Sequence, residues 1–379
     1  MSTSPLGASA PLVPPLFQSA VYTLPDLDAL DRIYNAEAPG FIYARDAHPN
    51  ARALAADLAK LENAAWAVVC GSGMSALTAA VLACVQQGDR VLASHRLYGR
   101  TTTLLVQELA RFGVRTSLVD VCQLDHVAEA LKQPARLLIV ETLSNPLLRV
   151  ADVPALTRLC HNAGCQILVD NTFATPILYR PLEDGADFVV ESLTKLMGGH
   201  SDVTLGLVCG RGDQEPTVTQ TVSIWGLMSS PFECWLAHRG LATLPLRCQA
   251  ACANAAVLAD WLAEQPGVIS VVYPGRPDHP DHELAERLLG GRFGNMLCFE
   301  LAGGREAVNR LMRSAPGIPF SPSLGHTGTT LSHPGTTSHR YVSPAERRRQ
   351  NITDGLLRLS VGLEPVEEIK AALRAGLTS

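Results

Sequence analysis

From residue 50 onward, short apolar runs alternate with helix-periodic stretches, and that alternation leaves the chain few ways to fold. Apolar runs occupy residues 64–70, 90–93, 114–118, 137–141, 167–170, 188–190 and 203–209. Helical patterns fill 51–62, the stretch through Met74, Leu77, Val81, Leu82 and Val85, and then 101–112, 125–132 and 153–163. A strand covered on both faces has no polar side to show, and successive parallel strands need a crossover helix. The pattern predicts an α/β fold with a mostly parallel sheet between two helical layers. A long Ala- and Leu-rich helical stretch at 239–265 leads into a different rhythm. There, strands at 268–273, 296–301 and 356–361 mix with helices at 283–289, 306–313 and 366–373. Residues 1–49 are Pro-rich with one short helix near 26–34, an arm that packs over its own body or reaches a neighbouring subunit. With 379 residues in all, the expected division is an arm (1–49), a large domain (50–245) and a smaller C-terminal α/β domain (246–379).

Composition narrows the function. The net charge is -5 and the pI about 6.1, so no basic face for nucleic acid is expected. Ten cysteines are scattered without a CxxC, mostly in apolar runs, and read as buried reduced thiols. Cys248 and Cys252 share a helical face, where packing is expected. His326, His333 and His339 match no zinc spacing, and no metal is expected. The N-terminus has neither a basic nor an apolar leader region. No apolar run reaches the ~18 residues of a membrane span. The expectation is a cytoplasmic protein with no membrane or nucleic-acid partner.

Four stretches carry chemistry. In Glu191-Ser-Leu-Thr-Lys195, a lysine follows a strand and is flanked by apolar runs on both sides. Burial lowers an ammonium's pKa, which an amine needs to form a Schiff base; an exposed lysine is the alternative. Ser192 and Thr194 could offer hydroxyls to a phosphate. Asp170 ends a hydrophobic strand, at the sheet edge where α/β folds bind ligands; it suits a pyridine nitrogen, or a turn cap. Cys70-Gly-Ser-Gly-Met-Ser-Ala76 joins a strand to a helix, as a phosphate cradle does, and as an empty turn also does. It is neither GxGxxG nor GxxxxGK[ST]. Tyr98, before Gly99, could lie on a ring or pack in the core.

Taken in order, these elements resemble the cysteine/methionine-metabolism (trans-sulfuration) family of pyridoxal-5′-phosphate (PLP) enzymes. VDNTFATP, SLTK followed by GGHSDV, SPFECWLAHRGL, YPG and LLRLSVGLE match in the family's order, from about Pro14 to Leu377. The resemblance implies an aspartate-aminotransferase-like (fold type I) architecture with a mostly parallel seven-stranded sheet. It implies that Lys195 bonds PLP as a Schiff base and carries protons, that Asp170 pairs with the ring nitrogen, and that Tyr98 stacks on the ring. Gly73, Met74, Thr172, Ser192 and Thr194 would hold the cofactor. Tyr43 and Arg45 would reach the phosphate of a partner subunit, in a homodimer or homotetramer with shared sites. Asn145, Arg358 and the Ser323 backbone would receive the carboxylate of an amino-acid substrate.

The chain departs from the family pattern in three places. His48-Pro49-Asn50 stands for Asn-Pro-Thr. Gly328-Thr329-Thr330 stands where cystathionine-acting members carry Glu-Ser-Leu. Arg100 stands where methionine γ-lyases place cysteine, facing a distal carboxylate or a surface acid. The expected reaction is α,γ-elimination on cystathionine or a related sulfur amino acid, as in a cystathionine γ-lyase. A γ-replacement transferase (cystathionine γ-synthase or O-acylhomoserine sulfhydrylase) is the alternative within the fold, and a catalytically silent scaffold the alternative outside it.

Overall fold

A computed structural model describes residues 9–315, 317–340 and 342–377. Seven strands form the first sheet: β1 (Trp66–Cys70), β2 (Arg90–Ser94), β3 (Arg115–Val119), β4 (Leu137–Glu141), β5 (Gln166–Asp170), β6 (Phe188–Ser192) and β7 (Gly206–Gly210). Their order is β1-β7-β6-β5-β4-β2-β3. β3, β2, β4, β5 and β6 run parallel, whereas β7 is antiparallel to both neighbours. Strand β4 shows why the sheet is two-sided. Leu138 and Val140 enter one apolar cluster, Leu137 and Ile139 another, and all four are fully buried. Truncating one of them to alanine costs about 2–5 kcal/mol.

A second sheet is antiparallel throughout: β8 (Val268–Val272), β9 (Met296–Leu301), β10 (Thr330–Ser332) and β11 (Leu356–Ser360), in the order β10-β11-β9-β8. Along β11, Leu357 and Leu359 face the second sheet's own core. The two-residue period turns Arg358 the other way, toward the first sheet.

Two expected helices are broken. The stretch at 239–265 is two helices, Pro231–Leu241 and Leu244–Ala263. Pro245 explains the break, because proline is tolerated in a helix's first turn but not in its interior. Residues 101–112 start as a helix at Gly99–Thr103, widen into a π turn at Leu104–Glu108 and tighten at Leu109–Phe112. The Thr103 hydroxyl donates to Gly99 O one turn back, a bond that bends helices. Short strand β10 had no visible sequence pattern.

The arm lies on its own chain near its root. Asn50 accepts from Phe17 N (2.9 Å) and donates to Pro15 O (2.8 Å), and Trp235 Nε1 donates to Pro14 O (3.0 Å). His48 caps the helix Pro49–Glu62, its Nδ1 accepting from Ala51 N. The departure at 48–50 is therefore a working cap and arm anchor. Among the described residues, no helix is long and apolar enough to cross a membrane.

At the far end of the same helix, Glu62 is fully buried against Glu191 of β6, which is also buried. Burial raises the Glu62 carboxyl from 4.5 to about 7; contact with Glu191 and the charge of Arg180 oppose the rise. The native state thus keeps a proton that the unfolded chain has released, and stability falls as pH climbs from about 4.5 to about 7. Glu62→Gln should flatten that fall. Urea unfolding of both proteins across this window checks it, and parallel slopes would count against the buried proton.

Candidate active site

The carboxyl ends of three adjacent parallel strands carry the chemistry. β4 ends in Glu141 and β5 in Asp170, which are register partners; β6 ends in Ser192, with Thr194 and Lys195 just beyond. Thr172 holds Asp170 in place, donating to Oδ1 from its N–H (3.0 Å) and bonding the carboxyl through its hydroxyl. The same hydroxyl accepts from Ser192 N at 2.9 Å, tying β5 to β6. Burial pushes the Asp170 carboxyl above its ordinary range, against the pull of Thr172. Among the described residues, no cation pairs with it.

Lys195 is half-buried, and its Nζ donates to Ser323 Oγ at 3.0 Å. The sequence contains only three other lysines: Lys60, Lys132 and Lys370. Each pairs with an acid one helical turn earlier: Asp57, Glu129 and Glu367. Lys195 instead bonds a hydroxyl and lines a cavity. Burial lowers its amine to about 8, and the nearby Arg358 guanidinium adds to the shift.

Arg358 is buried and reaches across from β11. It donates to Asn145 Oδ1 (2.7 Å) and to Ser323 O (3.2 Å). Among the described residues its Nε has no partner, although it is buried. Ser323 therefore takes part twice, through its carbonyl and through a hydroxyl that the sequence did not point to. Gly325 makes this turn possible, with φ 78° and a backbone packed against Leu196 where a Cβ would collide.

Glu141, which ends β4, organises two loops. Its carboxylate accepts from Tyr98 N (2.6 Å) and Asn145 N (3.0 Å). Burial, then the neighbouring Asp170, hold it well above the ordinary glutamate range.

On the other wall, Ser72 caps the helix Gly73–Cys84, its Oγ accepting from Ser75 N. A Cβ on Gly73 would stand 2.8 Å from Ser192 Cβ, so only glycine lets the helix start approach β6. Gly73, Met74, Tyr98, Asn145, Asp170, Thr172, Ser192, Thr194, Lys195 and Arg358 line one cavity of about 540 Å³. The Thr194 hydroxyl is engaged with the backbone of Leu205, donating to its O and accepting from its N.

Three sequence expectations lie elsewhere. Tyr43 and Arg45 are not in this cavity; Arg45 lies 5.2 Å from the Tyr43 ring centroid and lines a separate 200 Å³ hollow. Thr329 is buried and bonded to Glu364 (2.6 and 2.9 Å), so the departure at 328–330 braces the second sheet. The three histidines each hold local partners: His326 with Ser201, His333 with Thr336 and Asp354, His339 with Ser338.

A family model described as Cys/Met metabolism PLP-dependent enzyme matches residues 4–378. The chain belongs to this family. It is 40% identical over 346 residues to an O-succinylhomoserine sulfhydrylase of Pseudomonas aeruginosa, covering 91% of this chain and 86% of the relative. It is 38% identical over 371 residues to an L-methionine gamma-lyase of Porphyromonas gingivalis, with 97% and 93% covered. The solved structure of cystathionine gamma synthase from Xanthomonas oryzae pv. oryzae in complex with cystathionine matches with a TM-score of 0.92 and 34% identity, covering 97% and 93% of the two chains.

As a family member the chain is a fold type I PLP enzyme of sulfur amino-acid metabolism, and its substrates are small amino acids. The cavity suits PLP on its own evidence. It offers an inward amine of lowered pKa, a half-buried carboxyl lacking a cation, and a helix start pressed close by Gly73. An aldehyde, a protonated ring nitrogen and a phosphate answer those three features.

In cofactor-free protein the Lys195 amine should titrate near 8, against about 10.4 for an ordinary lysine. Peptide-mapped reductive methylation across pH measures it. A midpoint near the ordinary lysine value would contradict the buried setting.

Proposed function

We propose that this enzyme breaks the bond between Cγ and a heteroatom substituent of a four-carbon amino acid, with Lys195 as the residue that bonds PLP and moves protons. The observation that carries the reading is the convergence of Lys195, Asp170 and Arg358 on one cavity. Bound PLP supplies an electron sink for the Cα carbanion. Asp170 would keep the ring nitrogen of bound PLP protonated, and Tyr98 would lie against its ring. Gly73, Met74, Ser192 and Thr194 hold the phosphate; the Thr194 bonds to Leu205 support a share through its backbone rather than its hydroxyl. Arg358, fixed by Asn145 and Ser323, grips the substrate α-carboxylate with a planar fork. The Lys195 amine, unprotonated in part near pH 8, would take the Cα proton, hand it on to the cofactor's C4′ carbon, and so be free again to take a Cβ proton. The γ-substituent leaves with its bonding electrons.

In elimination, water completes the reaction: X–CH2–CH2–CH(NH3⁺)–COO⁻ + H2O gives 2-oxobutanoate, NH4⁺ and HX. In replacement, a thiol adds at Cγ and the displaced acid leaves, with no net oxidation. Elimination remains the first reading. Similarity to the sulfhydrylase, at 40% identity, favours replacement as the second.

Three further parts belong to the same proposal. The arm (1–49), large domain (50–245) and C-terminal domain (246–379) are the working units. Tyr43 and Arg45 complete the phosphate site of a second copy, supported by their half-exposed position outside their own chain's cavity. The setting is cytoplasmic, supported by ten unpaired cysteines, nine of them buried.

Holoenzyme given cystathionine, homocysteine and acylated homoserines, with and without a thiol, tests the reaction. Equal amounts of 2-oxobutanoate and ammonia are expected. Thioether without keto acid would select replacement, and neither product from any γ-substituted substrate would refute chemistry at Cγ.

A further inference from the structure

The turn that carries Lys195 is held by a buried cation outside the cavity. Arg247 lies near the start of the helix Leu244–Ala263 and is 5% exposed. Among the described residues, no acid pairs with its guanidinium. Oxygens without full charge answer it instead. Nη1 donates to Leu196 O (2.5 Å), Nη2 to Met197 O (3.0 Å) and Gly240 O (2.8 Å), and Nε to Thr243 Oγ1 (3.1 Å). Burying that charge without such partners would be costly. Leu196 and Met197 are the two residues that follow Lys195.

Backbone groups take the neighbouring carbonyls of this turn. Gly198 N–H donates to Leu193 O, Gly199 N–H to Lys195 O, and Thr327 N–H to Gly199 O. Leu196 O and Met197 O are left to Arg247. Two glycines allow the approach. A Cβ on Gly199, whose φ is 77°, would collide with Arg247 Nη1, and one on Gly240 would collide with Gly198 O. Gly325, in the Ser323 turn, packs against Lys195 C and Leu196 N. The Lys195 backbone is thus fixed between the helix that bears Arg247 and the turn that accepts its Nζ.

We propose that Arg247 is a positioning residue for Lys195: by holding the Leu196 and Met197 carbonyls, it keeps the amine withdrawn from solvent and aimed at Ser323. This rests on the reading of Lys195 as the residue that bonds PLP. The charged groups lining the cavity beside Lys195 are Glu141, Asp170, Glu191, Arg100, Arg340 and Arg358. Arg247 is not among the lining residues, so it acts through the backbone. Arginine suits this task and lysine does not. A rigid planar fork spreads its donors over four acceptors, whereas an ammonium is a single point on a flexible stem.

Three readouts on the full chain test this. They are the Lys195 midpoint in cofactor-free protein from peptide-mapped reductive methylation, the rate at which that protein takes up PLP from absorbance, and stability to urea. Arg247→Met should raise the midpoint by about one pH unit and slow PLP uptake at neutral pH about tenfold, because the free amine falls in proportion. Arg247→Lys, which keeps the charge but not the fork, should behave nearly the same. Asn254→Ala is the control: on the same helix, it removes bonds to two other backbone carbonyls, Gly362 O and Glu364 O. It should lower stability and leave the Lys195 midpoint in place. Arg247→Met that loses stability with an unmoved midpoint would overturn the positioning role, as would an equal rise in Asn254→Ala. Full recovery in Arg247→Lys would also overturn it, since the effect would then be one of charge. If Arg247→Met does not fold, Thr243→Val, which removes only the Nε acceptor, decides: a smaller rise supports the role and none overturns it. A raised midpoint with unchanged PLP uptake would keep the positioning role and refute Lys195 as the residue that bonds PLP.

Discussion

Ser323 is the point at which two cations are held close together out of bulk water. Its hydroxyl accepts from Lys195 and its carbonyl from Arg358. A lysine in water would be almost wholly protonated at neutral pH. Removal from solvent, with a guanidinium beside it, brings the Lys195 amine to about 8. Neither cation could sit there without structure on both sides. The first sheet supplies Lys195 beyond β6, the second supplies Arg358 from β11, and Gly325 lets the Ser323 turn pass between them.

The acids on the floor are the counterpart. Glu141 and Asp170 end neighbouring strands in register, and two buried carboxylates side by side resist ionising together. Glu141 answers this by binding the backbone of Tyr98 and Asn145, which places the Tyr98 loop and the Arg358 acceptor on one support. Asp170, bonded among the described residues only to Thr172, is left open toward the cavity. One acid is therefore structural and the other is available to a ligand's positive nitrogen. Sequence position alone does not separate the two roles, because both end apolar strands.

What could be read from the sequence was what is local. A strand followed at once by a reactive side chain places Asp170, Ser192 and Lys195 at a sheet edge without further information. The glycine turn at 71–73 and the helix after it were visible for the same reason. Features made by distant segments were not visible. Arg247 reaches the Lys195 turn only because the helix Pro231–Leu241 packs on Gly198. Thr329 looked like a substrate-pocket position and proves to be Glu364's partner. The helical period at 101–112 and 239–265 was real, yet the Thr103 hydroxyl bond and Pro245 break both stretches.

With only four lysines in the chain, one measurement bears most directly on the site. Holoenzyme reduced with borohydride and then peptide-mapped should carry its pyridoxyl group on Lys195 and nowhere else. A pyridoxyl group on Lys60, Lys132 or Lys370, or on no lysine at all, would contradict the assignment.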